Sequence, residues 1–320
     1  MKGVLSVQAA RDGFAIRRQD LSDRQISLMP NLFLIGAGKC GTTSLHSYLS
    51  AHPEITGSRE KEPSFFVELS ELRSRQLMES MRPEARDLDA YLDLFAGPPT
   101  RYRMEASPTY SSYPIFTNVP ERIAAASPHA QIIYLVRNPV DRTISHYWQD
   151  RKILKENRSL SEAVADPDSI YLCTSDYKRQ LDRYRPHFDN IHIVASEELR
   201  AAPETTLAGL FRALGLPEHR LDPADLAERN TTAATTRMAR FPLVTTLRDT
   251  PTWNRLRARL PRGVLRALRK ATVKEVPRRA EEENEVRAAL RDHFLPIIRE
   301  FDQTYGTCLC TRWFGDEKPS

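Results

Sequence analysis

Three glycines, a lysine and three hydroxyl side chains stand together in GAGKCGTTSL, residues 36–45. Gly36, Gly38 and Gly41 let the backbone curl close to a ligand. A glycine-rich turn running into a helix presents successive backbone N–H groups, and with the helix N-terminus these form an anion site. Lys39 adds a point charge, and Thr42, Thr43 and Ser44 add hydroxyl donors at the helix start. The chemistry expected is capture of a phosphate-bearing ligand. A tight turn that binds nothing would need the glycines, but neither the lysine nor the hydroxyls. In an ATPase loop the lysine directly follows the second glycine. Gly36 and Gly41 have that spacing here, but position 42 is threonine and the lysine lies inside the loop.

A second cation follows the apolar run IIYLV, at Arg137 in RNPVDRTISHYW, residues 137–148. Nucleotide hydrolases of the phosphate-loop type hold magnesium partly through an aspartate on a second strand. An arginine at that place repels a metal and attracts another phosphate, to which it can donate two parallel hydrogen bonds. The ligand expected therefore carries two anionic groups and needs no metal between them. The competing reading pairs Arg137 with Asp141 or Glu105.

The elements that position these residues are legible in outline. NLFLIG (31–36) is a continuous apolar run, as a buried parallel strand requires, and QIIYLV (131–136) and NIHIVA (190–195) read as the second and third such strands. TTSLHSYLSAHP follows the first run with Leu45, Tyr48 and Leu49 at helical spacing, and Pro53 ends it. VDRTISHYWQDRKIL reads as the helix behind the second run. TSDYKRQLDRYRPHF reads as a helix with Tyr177, Leu181, Tyr184 and Phe188 on one face, and PETTLAGLFRALGL as another, closed by Gly215. Strands alternating with helices predict an α/β fold, a P-loop-like doubly wound parallel sheet with helices on both faces, in a single domain. Residues 1–29 are expected as an irregular leader and 30–320 as the domain. ERNTTAATTRMARF (228–241) reads as a loop, residues 253–274 as a basic amphipathic segment broken by Pro261, and the stretch from residue 281 as a final helix.

The 320 residues can bury a sizeable core, and 40% hydrophobic with 28% charged residues is ordinary for a soluble globular chain. The net charge of +5 favours an anionic ligand, but arginine is spread along the chain, so no nucleic acid partner is expected. No apolar run approaches the roughly 20 residues that cross a bilayer. Charges at Arg11, Asp12 and Arg17 interrupt any secretory segment, so a cytoplasmic location is expected. Four cysteines are too few for a disulfide framework, and none stands in a zinc pattern. Cys40 reads as a small filler of the loop.

With both anion sites in place, the chain resembles sulfotransferases that use 3′-phosphoadenosine 5′-phosphosulfate (PAPS), most of all heparan-sulfate-type and related bacterial carbohydrate sulfotransferases. GAGKCGTTSL resembles their 5′-phosphosulfate loop, and RNPVDRTIS their R-x-P-x-x-R-x-x-S segment for the 3′-phosphate. KEPSFF (61–66) and EASPTY (105–110) resemble the two segments that follow in these enzymes. The resemblance implies that PAPS is the co-substrate without a metal, that Lys39 and the loop serve the 5′ end, and that Arg137 and Ser145 hold the 3′-phosphate. It makes Glu62 the base that takes the proton of the acceptor hydroxyl, on a carbohydrate or other small molecule. The plain readings are that Glu62 is a surface carboxylate paired with Lys61, that His46 is a packed histidine rather than a rival base, and that Trp148 is a core residue. Three departures stand out. Ala106 replaces a lysine of the heparan-type members, Ser64 and Val67 replace a histidine and an aspartate that hold the sugar, and their C-terminal K-G-R-x-H-P loop has no counterpart. Lys274, Arg278 or Arg279 in TVKEVPRRAEEE is the nearest basic cover for the cofactor. Two alternatives remain at this stage, an ATP-dependent small-molecule kinase and a non-catalytic nucleotide-binding relative.

Overall fold

The computed structural model describes residues 16–68, 87–153, 155–221, 235–239, 273–277 and 280–315. By packing, the chain divides into two compact units, Met1–Arg137 with Tyr177–Asn230, and Asn138–Asp176 with Thr231–Ser320. No compositional break marks any of the three seams, at 137/138, 176/177 and 230/231.

The first unit holds a five-stranded sheet. Its strands are β1 (Leu32–Gly36), β2 (Ile55–Gly57), β3 (Tyr102–Ala106), β4 (Gln131–Val136) and β5 (Ile191–Ala195), in the order β2-β3-β1-β4-β5. Every pairing is parallel. All five residues of β1 are buried, as a central parallel strand covered on both faces demands. The chain builds one side of the sheet with β2 and β3 and the other with β4 and β5. The carboxyl end of β1 is therefore the switch point where ligands bind in open α/β sheets. Strands β2 and β3 escape the sequence reading because β2 is three residues long and Arg103 and Glu105 interrupt the apolar run of β3. Helix α1 (Thr42–Ser50) packs on β1, β2 and β3 through buried Leu45, Tyr48 and Leu49.

Two expectations in this unit need correction. The helix expected over 174–188 spans only Tyr177–Leu181, and turns carry the chain on to Phe188. Pro186 disfavours helical backbone at the residue before it, yet Tyr177, Leu181, Tyr184 and Phe188 are all buried as the pattern requires. Residues 1–15 lie outside the described part of the leader. The rest is not irregular: Arg18–Asp20 is a 3-10 turn, and Asp23–Leu28 is a helix opened by a capping box between Ser22 and Gln25.

The second unit is built on α2 (Pro139–Lys152) and a helix of 26 residues, α3 (Ala280–Tyr305). Asn138 caps α2, accepting from the N–H groups of Val140 and Asp141. Val140, Ile144, Tyr147 and Trp148 of α2 pack with Val286, Leu290 and Phe294 of α3. Part of the segment expected as a loop at 228–241 is instead strand β6 (Thr235–Ala239), antiparallel to β7 (Val273–Pro277). TTRMA and VKEVP have the β-branched residues of strands, but the pairing joins stretches more than thirty residues apart and leaves no local periodicity to read. Residues 253–272 of the basic segment lie outside the described residues. Among those described, no helix is long and apolar enough to cross a membrane.

Candidate active site

The loop at the end of β1 departs from ordinary backbone at three points. Gly36 has φ 146°, Lys39 74° and Gly41 99°. Gly41 needs its freedom at the N-cap of α1. Gly36 needs it for a second reason, since a Cβ there would stand 2.0 Å from Ser111 Oγ. The residue that turns left-handed mid-loop is Lys39, while Gly38 keeps an ordinary φ. No side chain caps α1. Ser44 N–H donates to Gly41 C=O at 3.0 Å, while the N–H groups of Thr42 and Thr43 precede any helix carbonyl they could reach and have the positive end of the helix dipole behind them. Cys40 is buried, its Sγ 3.8 Å from Tyr177 Oη, as a filler of the loop.

Strand pairing brings Arg137 to this loop. Ala37 N–H donates to Leu135 C=O at 2.7 Å, and Arg137 Nη1 donates to the Lys39 C=O at 3.4 Å. Tyr177 Oη holds the Arg137 backbone, donating to its C=O at 2.6 Å. Arg137 Nε is buried with no hydrogen-bond partner among the described residues. The carboxylates read as rivals for this guanidinium are engaged elsewhere. Glu105 accepts from Tyr91, Tyr110 and Ser107, and Asp141 pairs with Arg287 at 2.9 Å. An orphaned guanidinium N–H beside a lysine loop and an uncapped helix is a donor set that fits a ligand with separate anionic groups.

The KEPSFF segment also reaches the loop helix. Lys61 Nζ donates to Thr43 Oγ1 at 2.6 Å and to Glu62 Oε1 at 2.9 Å. Accepting from Lys61 leaves Thr43 its own O–H as a donor. Glu62, paired with Lys61 as the plain reading has it, is thereby tied to the phosphate loop rather than loose on the surface, though half of its side chain is exposed. Lys61 is the site residue that sequence reasoning passed over. Beside Glu62 it reads as half of a solvated pair, and nothing local reveals Thr43 eighteen residues back. His46 is partly buried. Burial, then the nearby Lys61 charge, lowers its pKa to about 4, with Glu62 opposing. It is neutral near pH 7 and a weak base.

The remaining expected residues are placed as follows. Thr42 and Ser44 stand in the first turn of α1, with Thr42 buried. Ser145 is buried in the second turn of α2, in the second unit. Its motif neighbour Arg142 is structural, donating to Thr174 Oγ1 at 2.5 Å and Ser175 Oγ at 3.1 Å. Trp148 is buried and donates to Glu283 Oε1 at 2.7 Å, a core residue as expected. Ala106 is buried at the end of β3, and its C=O accepts from Glu62 N–H at 3.1 Å. Lys274 lies on β7 opposite Met238, and Arg278 and Arg279 fall outside the described residues. Among the described residues no cluster of His, Cys, Asp and Glu is arranged to hold a metal.

Residues 30–220 match the model of a family described as the sulfotransferase family. The chain is 27% identical over 220 residues to a human bifunctional heparan sulfate N-deacetylase/N-sulfotransferase 2, which covers 62% of this chain and 24% of that protein. It is 30% identical over 131 residues to the membrane-associated sulfotransferase kil1 of Dictyostelium discoideum, 41% of this chain and 25% of that one. This chain thus spans about a quarter of the length of these curated relatives. A crystal structure of a sulfotransferase from Alicyclobacillus acidocaldarius superposes with a TM-score of 0.52 at 30% identity, over 61% of this chain and 87% of that one.

Proposed function

The chain belongs to the sulfotransferase family, and from that premise we propose that it moves a sulfuryl group from PAPS to a hydroxyl of a carbohydrate or other small molecule. The observation that carries this reading is the meeting of the lysine loop and Arg137 at one sheet edge, 3.4 Å apart at the Lys39 carbonyl, with Arg137 Nε unpartnered. PAPS, when bound, supplies a sulfuryl group activated by a phosphate leaving group. Lys39 and the N–H groups of Gly41, Thr42 and Thr43 at the start of α1 hold the negative charge that grows on that phosphate. Gly36 and Gly38 shape the loop. Thr42, Thr43 and Ser44 orient oxygens, and Arg137 and Ser145 take the 3′-phosphate. Glu62 accepts the proton of the attacking hydroxyl, with Lys61 fixing its direction. Removal of a general base costs about 10²–10⁴-fold in rate.

The acceptor class rests on the heparan sulfate relatives. Those relatives are named as N-sulfotransferases, so an amino group on a sugar belongs in the acceptor panel beside hydroxyls. A cytoplasmic location is part of the reading, supported by four cysteines that are not joined in disulfides, which suits a reducing compartment. The test is transfer of labelled sulfuryl from PAPS to a panel of sugar hydroxyls, amino sugars and small alcohols in the presence of a chelator. Metal-independent labelling is expected. Phosphoryl transfer from ATP that requires magnesium would establish the kinase reading, and tight nucleotide binding with no transfer to any acceptor the non-catalytic one.

A further inference from the structure

The loop that carries Glu62 is held in a conformation it would not adopt alone. Glu62 has φ 61° and Ser64 φ 51°, two left-handed residues without glycine in three positions. Such backbone is strained and persists only where the surroundings over-determine it. Four N–H groups of the loop end on one short stretch of chain. Glu62 N–H donates to Ala106 C=O at 3.1 Å, Ser64 N–H to Ser107 Oγ at 3.0 Å, Phe66 N–H to Tyr110 Oη at 3.1 Å, and Phe65 N–H to the Glu105 carboxylate. Ser107 and Tyr110 are themselves fixed by Glu105. Ser107 Oγ donates to its Oε1 at 2.9 Å, Tyr110 Oη donates to the same oxygen, and Tyr91 Oη donates to Oε2. Tyr91 in turn stacks on Phe65, ring centres 3.9 Å apart and 6° from parallel. Glu105 is fully buried. Three O–H donors and a loop N–H converge on this carboxylate.

We propose that Glu105 is a positioning residue that fixes the Glu62 loop and thereby the direction of the base. The proposal rests on the reading of Glu62 as that base. Burial and the adjoining Glu105 carboxylate hold both tyrosine hydroxyls well above their ordinary pKa, so they remain protonated donors. Each has one proton and gives it to Glu105, which leaves Tyr110 oxygen to accept from Phe66. Replacing the carboxylate by an amide puts an NH₂ donor against a hydroxyl that is already donating. One tyrosine must then reverse, and the loop loses its common acceptor.

The test has a readout in the ligand-free protein. In Glu105→Gln, amide exchange at Glu62, Ser64 and Phe66 is expected to speed up by about tenfold or more, as loss of a roughly 1.4 kcal/mol hold implies, while the β1 and β4 amides keep their protection. Affinity for adenosine 3′,5′-bisphosphate stays within a factor of two or so, and single-turnover transfer falls by about tenfold to a hundredfold. In a Glu62→Gln background the same change produces no further fall. Unchanged loop exchange, or a further fall in that background equal to the first, overturns the proposal. Full activity of Glu62→Gln alone would instead remove the base assignment, and the exchange rates would still decide whether Glu105 holds the loop. Should Glu105→Gln fail to fold, Tyr110→Phe deletes a single hydroxyl of the same network, and faster exchange at Phe66 is the result it must give.

Discussion

Glu62 and His46 are the rival bases for the site, and their surroundings separate them. His46 is held at about 4 by burial and by Lys61, whereas Glu62 is half exposed and directed by the Lys61 ammonium at 2.9 Å. An interaction needed only in the transition state lowers the chemical rate without weakening cofactor binding. Glu62→Gln should therefore keep its affinity for adenosine 3′,5′-bisphosphate and lose about 10²-fold or more in single-turnover transfer. His46→Asn should change transfer little, and the assignment fails if the two variants exchange these behaviours. The residue types of the site were readable because lysine, glycines and hydroxyls cluster within ten positions. Lys61 and Glu105 were not, because their meaning lies in partners across the fold: Thr43 for the one, and Tyr91 with a loop of backbone N–H groups for the other. Ala106 read as a lost cation. Its C=O anchors Glu62, a backbone role that no residue type announces.

At the scale of elements, the strand-to-loop junction after β1 is the part least tolerant of change. Gly36→Ala combines a left-handed φ of 146° with a Cβ 2.0 Å from Ser111 Oγ. A destabilisation of about 1–3 kcal/mol is expected, read as a lower denaturant midpoint together with weaker bisphosphate binding; an unchanged midpoint would contradict the geometry. Trp148 on α2 offers the opposite case. Its indole N–H bonds Glu283 across the core of the second unit. Trp148→Phe should cost about 1–3 kcal/mol of stability and leave nucleotide affinity unchanged in calorimetry, whereas an adenine-stacking residue would show the reverse. Strands β1, β4 and β5 and helices α1 and α2 announced themselves through apolar-rich runs and helical spacing, although His192 interrupts β5. Strand β3 did not, because the charged Arg103 and Glu105 interrupt its apolar pattern. The β6–β7 pair did not, because its stability comes from a partner far along the chain rather than from local periodicity.

At the scale of the whole molecule, one buried carboxyl should mark the pH dependence of stability. Burial raises the pKa of Glu105 to about 7, against the lowering effect of its hydroxyl and N–H donors. Its ordinary value is 4.5. With the folded value raised, the stability this group contributes is complete below about pH 4.5 and is lost as pH rises through about 7. The slope is about 1.4 kcal/mol per pH unit inside that window. Tyr91 and Tyr110 face the carboxyl but stay neutral throughout, so the titration belongs to Glu105. Thermal melts of the wild type should therefore fall relative to Glu105→Gln between pH 5 and 7 and run parallel above about pH 8; parallel curves throughout would contradict the shift. The parallel sheet was legible in the sequence, but the division into two packing units was not, since no compositional break marks any of its three seams and only tertiary contacts draw them. The central claim joins the loop at β1 to Arg137 at the end of β4 in one nucleotide site, and calorimetry with and without the 3′-phosphate tests it most directly. In chelator, wild type should bind adenosine 3′,5′-bisphosphate more tightly than adenosine 5′-phosphate. Arg137→Ala should weaken only the bisphosphate, by about tenfold to a hundredfold, the worth of one or two charge-assisted hydrogen bonds. Equal losses for both ligands, or binding that requires magnesium and prefers ATP, would contradict it.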